Sequence, residues 1–173
     1  MRPEALDALL ACLGRLCEAN RTWCKVAGVH HEHLMISRLA DAEACLPDLE
    51  IILQGIAEEE SLRIEKTVEL AEILDISSDP PPRLDDLVAA LPKELGRELS
   101  DAGAALREAL VGARSLADRI RGVAEIGLRI SESVLSMTRR AATVSTRPPA
   151  AYVRGGRRTA GTAVPVFQRA WRA

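Results

Sequence analysis

From Leu95 onward, apolar or small residues recur in alternating steps of four and three: Leu95, Leu99, Ala102, Leu106, Ala109, Ala113, Leu116, Ile120, Val123, Gly127, Ile130, Val134 and Met137. None of these thirteen successive positions is polar, and the mean step of 3.5 residues is that of a left-handed coiled-coil seam. The pattern predicts one helix over 93–139, opened by Pro92 and on the order of 65 Å long at 1.5 Å per residue. A similar rhythm runs through Leu6, Leu9, Leu13, Leu16, Asn20, Trp23, Ala27, His30 and Leu34, with Asn20 polar inside it. It predicts a helix over 3–38: Pro3 suits a first turn, and Glu4 and Asp7 suit the positive end of its dipole. Gly28 weakens this helix by roughly 1 kcal/mol relative to Ala.

Between them a second helix is expected over 42–74, capped by Asp41, with Pro47 in its first turns allowing a start at Leu46. Leu49, Leu53, Ile56, Ile64, Ala71 and Leu74 mark its inner side, and Glu60 falls near the seam. Three consecutive prolines, Pro80 to Pro82, exclude helical continuation, and a short helix follows over 84–91. The expected fold is all-α: an elongated antiparallel helical bundle, or coiled coil, of three main helices and one short one. It occupies residues 1–140. Pro148 and Pro149 end regular structure, and 141–173 is expected to be a flexible, arginine-rich tail.

Composition supports helices over sheets. Leu, Ile, Val and Ala supply nearly all apolar residues, and three of the four aromatics, Tyr152, Phe167 and Trp171, lie beyond residue 150. The net charge of −2 hides an asymmetry: residues 1–138 hold all 25 acidic side chains and 15 of the 23 basic ones, whereas 139–173 holds eight arginines and no acid. Such a tail suits an acidic partner, a membrane surface, nucleic acid or simple solubility. The single Arg-Gly-Gly at 154–156 is too little to imply nucleic-acid binding. No signal peptide and no run of 18 apolar residues is present, so no membrane insertion is expected and a cytoplasmic location is.

Catalytic signatures are missing. Nucleophile elbows, phosphate-cradling glycine loops and paired-acid clefts are absent. His30, His31 and His33 are the only histidines, and Cys12, Cys17, Cys24 and Cys45 lack ligand spacing, so neither a metal nor another cofactor is expected. A histidine on a helical bundle can serve as a phosphoryl acceptor; the residues after His31, "EHLMISR", do not follow the pattern of phosphotransfer modules, which leaves that reading remote. "AEEES" reads as a solvated face pairing with Arg63 and Lys66.

The end of the last helix carries a second apolar stripe. Gly127, Ile130, Val134 and Met137 close the seam, while Leu128, Ser131 and Leu135 line a neighbouring one, with Ile126 and Ile130 at its edge. An apolar stripe that the chain itself leaves uncovered suits helix-in-groove recognition. Packing on a wider bundle face, or in a homodimer of a structural or adaptor coiled coil, uses the same residues.

The stretch "EEESLRIEKTVELAEILDI", with Glu60, Arg63 and then Leu70 to Ile76, resembles the E-x-x-R … L-A-x-x-L-G-I pattern of the FlgN family of flagellar export chaperones. The resemblance spans about residues 41–156. It takes in Asp41, the proline-rich connector, the short helix, the long leucine-seamed helix, and Tyr152 with Gly155 and Gly156. It departs at "DRIRGVAEIGL", where the family has Asn-Arg-x-Leu-Leu. The resemblance implies a non-enzymatic cytoplasmic chaperone, monomeric or weakly dimeric. It would bind the C-terminal helical segments of hook-associated, hook-filament junction proteins and deliver them to the flagellar type III export gate. The contact is then expected at Ile126, Leu128, Ile130, Ser131, Val134, Leu135, Met137 and Tyr152.

Overall fold

Pro3 stands in extended conformation at the cap of α1 (Glu4–Met35), where its missing N–H costs nothing and Glu4 and Asp7 meet the helix dipole. A computed structural model describes residues 3–76 and 82–145. The other helices are α2 (Leu39–Ala44), α3 (Leu46–Ile73), α4 (Leu84–Ala90) and α5 (Lys93–Ser145). The all-α architecture is as the periodicity predicts, and no strand occurs among the described residues.

Boundaries differ where backbone chemistry overrides periodicity. The expected helix 42–74 is two helices: Pro47 can sit only in a first turn, so α3 starts afresh at Leu46 and leaves α2 as a separate six-residue helix. Asp41 is therefore not a cap. It lies in the first turn of α2, 3.9 Å from the exposed Arg38 guanidinium. Both α1 and α3 end in a 6→1 closure: Arg38 N–H donates to His33 O at 2.9 Å, and Ile76 N–H to Ala71 O at 2.9 Å. The residue before each donor is left-handed, Ser37 at φ 58° and Asp75 at φ 55°. Glycine is the usual occupant of that position, and another residue costs roughly 1 kcal/mol there.

The contacts divide the chain between Ala124 and Glu125. In the first unit α1 and α3 run antiparallel, so Cys12 meets Glu59 and Ala27 meets Leu49. Residue numbers rise together along α1 and α5: Cys17 Sγ–H points to Ala105 O at 3.7 Å, and Ala27 packs with Leu116. The main core joins Leu6, Leu9, Leu13 and Leu16 of α1 to Leu70 of α3, Leu87 of α4, and Leu99 and Leu106 of α5. Burial of each leucine contributes about 1.5–3 kcal/mol.

α5 lies in the groove between α1 and α3. On one edge Ala105, Ala109 and Gly112 share a crevice with Arg21 and Cys24 of α1. On the other, Gly103 and Leu110 share one with Glu60 and Arg63 of α3. The short α4 docks where Gly96 lets the Val88 carbonyl approach: a Cβ at 96 would stand 2.7 Å from that oxygen.

The expected inner side of α3 is partly displaced. Leu53 and Ile64 are exposed, whereas Thr67 and Leu70 are buried. A line through the buried Leu49 and Thr67 and the half-buried Ile56 and Leu74 runs straight along the helix, at the 3.6 period instead of the heptad period. Leu53 and Ile64 fall on its shoulder. Thr67 is tolerated inside because its hydroxyl donates to Arg63 O at 2.8 Å.

Candidate partner-binding face

Inside the bundle His30 and Asn20 make hydrogen bonds, whereas Trp23 Nε1 and His33 Nδ1 are buried without a hydrogen-bond partner. His30 is buried, with Nδ1 2.9 Å from Ala42 O, which ties α1 to α2 and fits a structural role. Asn20, the polar seam residue, donates to Leu16 O of its own helix at 2.8 Å and so fixes no partner across the seam. Among the described residues no group of three or more His, Cys, Asp or Glu side chains could hold a metal ion.

A cluster that periodicity does not reveal joins α1 to α3. Arg15 Nε donates to Glu59 Oε1 at 2.7 Å, and the Cys12 thiol donates to Glu59 O at 3.2 Å. Glu59 thus reaches across to α1. Arg63 pairs with Glu60 at 2.7 Å, as expected, but Lys66 pairs with Glu65 and Glu69 instead of the "AEEES" acids. Burial and the adjacent Glu59 carboxylate push the Cys12 thiol from 9.0 up to about 11. The folded state therefore favours the protonated thiol. Its contribution to stability is complete below pH 9 and is lost as pH rises through about 11. Thermal melts of Cys12→Ala and the parent should show a smaller alkaline loss for the variant between pH 9 and 11. Parallel losses would remove Cys12 as the cause.

The far part of α5 behaves differently. Every side chain from Glu125 to Arg140 is exposed. Ile126, Leu128, Ile130, Val134, Leu135 and Met137 are each between 56 and 67% exposed. This corrects the division into a closed stripe and a surplus one: Gly127, Ile130, Val134 and Met137 are as uncovered as Leu128 and Leu135. The reason is length. Ala105 lies 88 residues beyond its partner Cys17. At that offset Met35, the last residue of α1, comes level with Val123, the last half-buried position of the seam. The heptad continues after its covering helix has stopped.

At about 100° per residue, the apolar side chains of 126–137 form one face roughly 200° wide. Ile126, Ile130 and Met137 make one ridge, and Leu128 and Leu135 the other. Gly127, Ser131 and Thr138 lie between them as a floor of small residues. Ser131 Oγ donates to Gly127 O at 2.9 Å and Thr138 Oγ1 to Val134 O at 2.9 Å, so the floor offers little unmet polarity. The charged residues Glu125 and Arg129 occupy the opposite side and pair at 3.9 Å. Covering all six large side chains would recover roughly 6–9 kcal/mol, since each is already part-covered by its own helix. Association itself costs at least ~4 kcal/mol.

Of the residues expected at a partner contact, the structure brings seven, Ile126 through Met137, onto this face or its floor; Tyr152 lies outside the described residues. The floor formed by Gly127 and Thr138 went unrecognised in the sequence, although their small side chains at the middle of the arc are its signal. No described helix is long and apolar enough to cross a membrane. Compared with protein-family models, curated proteins and solved structures, the chain gives no match.

Proposed function

We propose that the protein is a cytoplasmic, non-enzymatic chaperone of the FlgN kind. Its clients are hook-filament junction proteins, bound through their C-terminal helical segments and delivered to the flagellar type III export apparatus. The observation that carries the reading is the uncovered apolar face of α5 between Ile126 and Met137. Exposed apolar surface of that extent in one place marks an interaction site. The left-handed Asp75 adds support, because it stands where the resembled motif carries a glycine and takes the conformation that glycine serves.

The test is a binding titration with the C-terminal segment of a hook-filament junction protein. Leu128→Asp is expected to leave helicity unchanged and stability within about 0.5 kcal/mol, because the side chain is exposed. It is expected to weaken binding more than about tenfold. Unaltered affinity removes this face from the reading. Concentration-dependent light scattering of the protein alone that shows a dimer, lost in the same variant, favours a homodimeric coiled coil instead.

A further inference from the structure

The ridge of Leu128 and Leu135 ends in unmatched charge. Arg139 stands one turn beyond Leu135 on the same side of α5, is exposed, and makes no ion pair among the described residues. Glu132, between the two leucines on that edge, is equally exposed and equally unpaired there. Arg129, on the opposite side, by contrast holds Glu125 at 3.9 Å. The sequence then continues in one sign: residues 139–173 hold eight arginines and no acid, against 25 acids and 15 bases over 1–138. The positive end of the chain thus begins where the apolar face stops, two residues after Met137. An acidic partner is repelled by most of the chain and attracted at this end.

The face alone is small, twelve residues of one helix against the roughly 20–30 residues a side of a stable interface. Its occupant needs a further source of binding, and the arginines supply charge. A lipid surface does not fit. Interfacial helices carry aromatic residues on the apolar side and Lys or Arg on the polar side, whereas 125–138 holds no aromatic residue and places Glu125 and Glu132 among its polar positions. Nucleic acid has no use for two apolar ridges that offer no aromatic ring for base stacking. Resting on the proposed chaperone reading, we infer that the face and the arginine-rich segment after it form one site for an acidic amphipathic helix. The partner's apolar residues, at i, i+3, i+4 and i+7, cover the Leu128–Leu135 ridge, and its acidic residues follow the seam toward Arg139 and the arginines of 147–172. The two parts act on different rates. Attraction between exposed charges speeds encounter and fades with salt. Apolar contact sets the rate of release.

The test follows binding of the C-terminal segment of a hook-filament junction protein to the full-length protein by stopped-flow fluorescence. A second version of the segment has every Asp and Glu replaced by Asn and Gln. A variant of the protein has Arg147, Arg154, Arg157, Arg158, Arg169 and Arg172 each changed to glutamine. At about 50 mM salt, either change alone should lower kon about tenfold and leave koff within about twofold. Both together should cost no more than one alone. At about 500 mM salt the difference should shrink to less than about twofold. Leu128→Asp should instead raise koff about tenfold at unchanged kon. A segment that binds as fast without its acids, losses that multiply across the two changes, or faster binding by the arginine-to-glutamine variant overturns the inference and leaves the chaperone reading intact. So does arginine-dependent capture by vesicles of phosphatidylcholine and phosphatidylserine, or by single-stranded DNA, when the same substitutions leave kon for the segment unchanged. No binding by either version of the segment rejects both.

Discussion

Leu99→Ala is expected to cost about 2–5 kcal/mol, whereas Ile130→Ala, in the same seam of the same helix, should cost less than about 0.5 kcal/mol. Leu99 is fully buried among α1, α3 and α4, so truncation removes transfer energy and leaves a cavity between helices that cannot close on it. Ile130 is 59% exposed, and alanine is the better helix former. At roughly 4 °C per kcal/mol for a domain of this size, the first substitution should lower Tm by about 10–20 °C. The second should leave Tm in place. Calorimetry of both variants decides the matter. A large loss for Ile130→Ala would mean that the free protein already covers its far ridge, and the docking face would have to be withdrawn.

Gly96→Ala should destabilise by about 1–2 kcal/mol, although in an isolated helix the same change is favourable by about 1 kcal/mol. The new Cβ would meet the Val88 carbonyl oxygen at 2.7 Å. That neighbour is backbone, so relief requires α4 to move as a body away from Leu99 and the core. The α4 amides should then lose hydrogen-exchange protection before those of α1 and α3. A rise in Tm, the result that helix propensity alone dictates, would show that α4 is not held against α5 at this point.

Much of the fold is legible in the residues. The four-three alternation from Leu95 gives the long helix, the steps from Leu6 to Leu34 give α1, and Pro80 to Pro82 give the break before α4. These signals are local, and proline and periodicity act through the backbone whatever the surroundings. The misreadings share a different cause. Asp41 has the chemistry of a cap, but the start of α3 was decided by Pro47. Leu53 and Ile64 have the chemistry of a core, but the straight path of α3 turns Thr67 inward in their place.

The candidate site divides the same way. The apolar character of Ile126, Leu128, Ile130, Val134, Leu135 and Met137, and their spacing on one helix, follow from the sequence alone. Whether a seam is closed depends on how far its neighbours reach. A heptad reads the same beside a partner helix and beyond its end. The register between Cys17 and Ala105 carries α1 only as far as Val123, and so separates core from docking surface along one unbroken pattern. The sequence determined that α5 would be apolar along one face from Leu95 to Met137. Only the tertiary structure decided which part of that face the chain keeps for itself, because covering it takes a second helix alongside, and α1 ends at Met35.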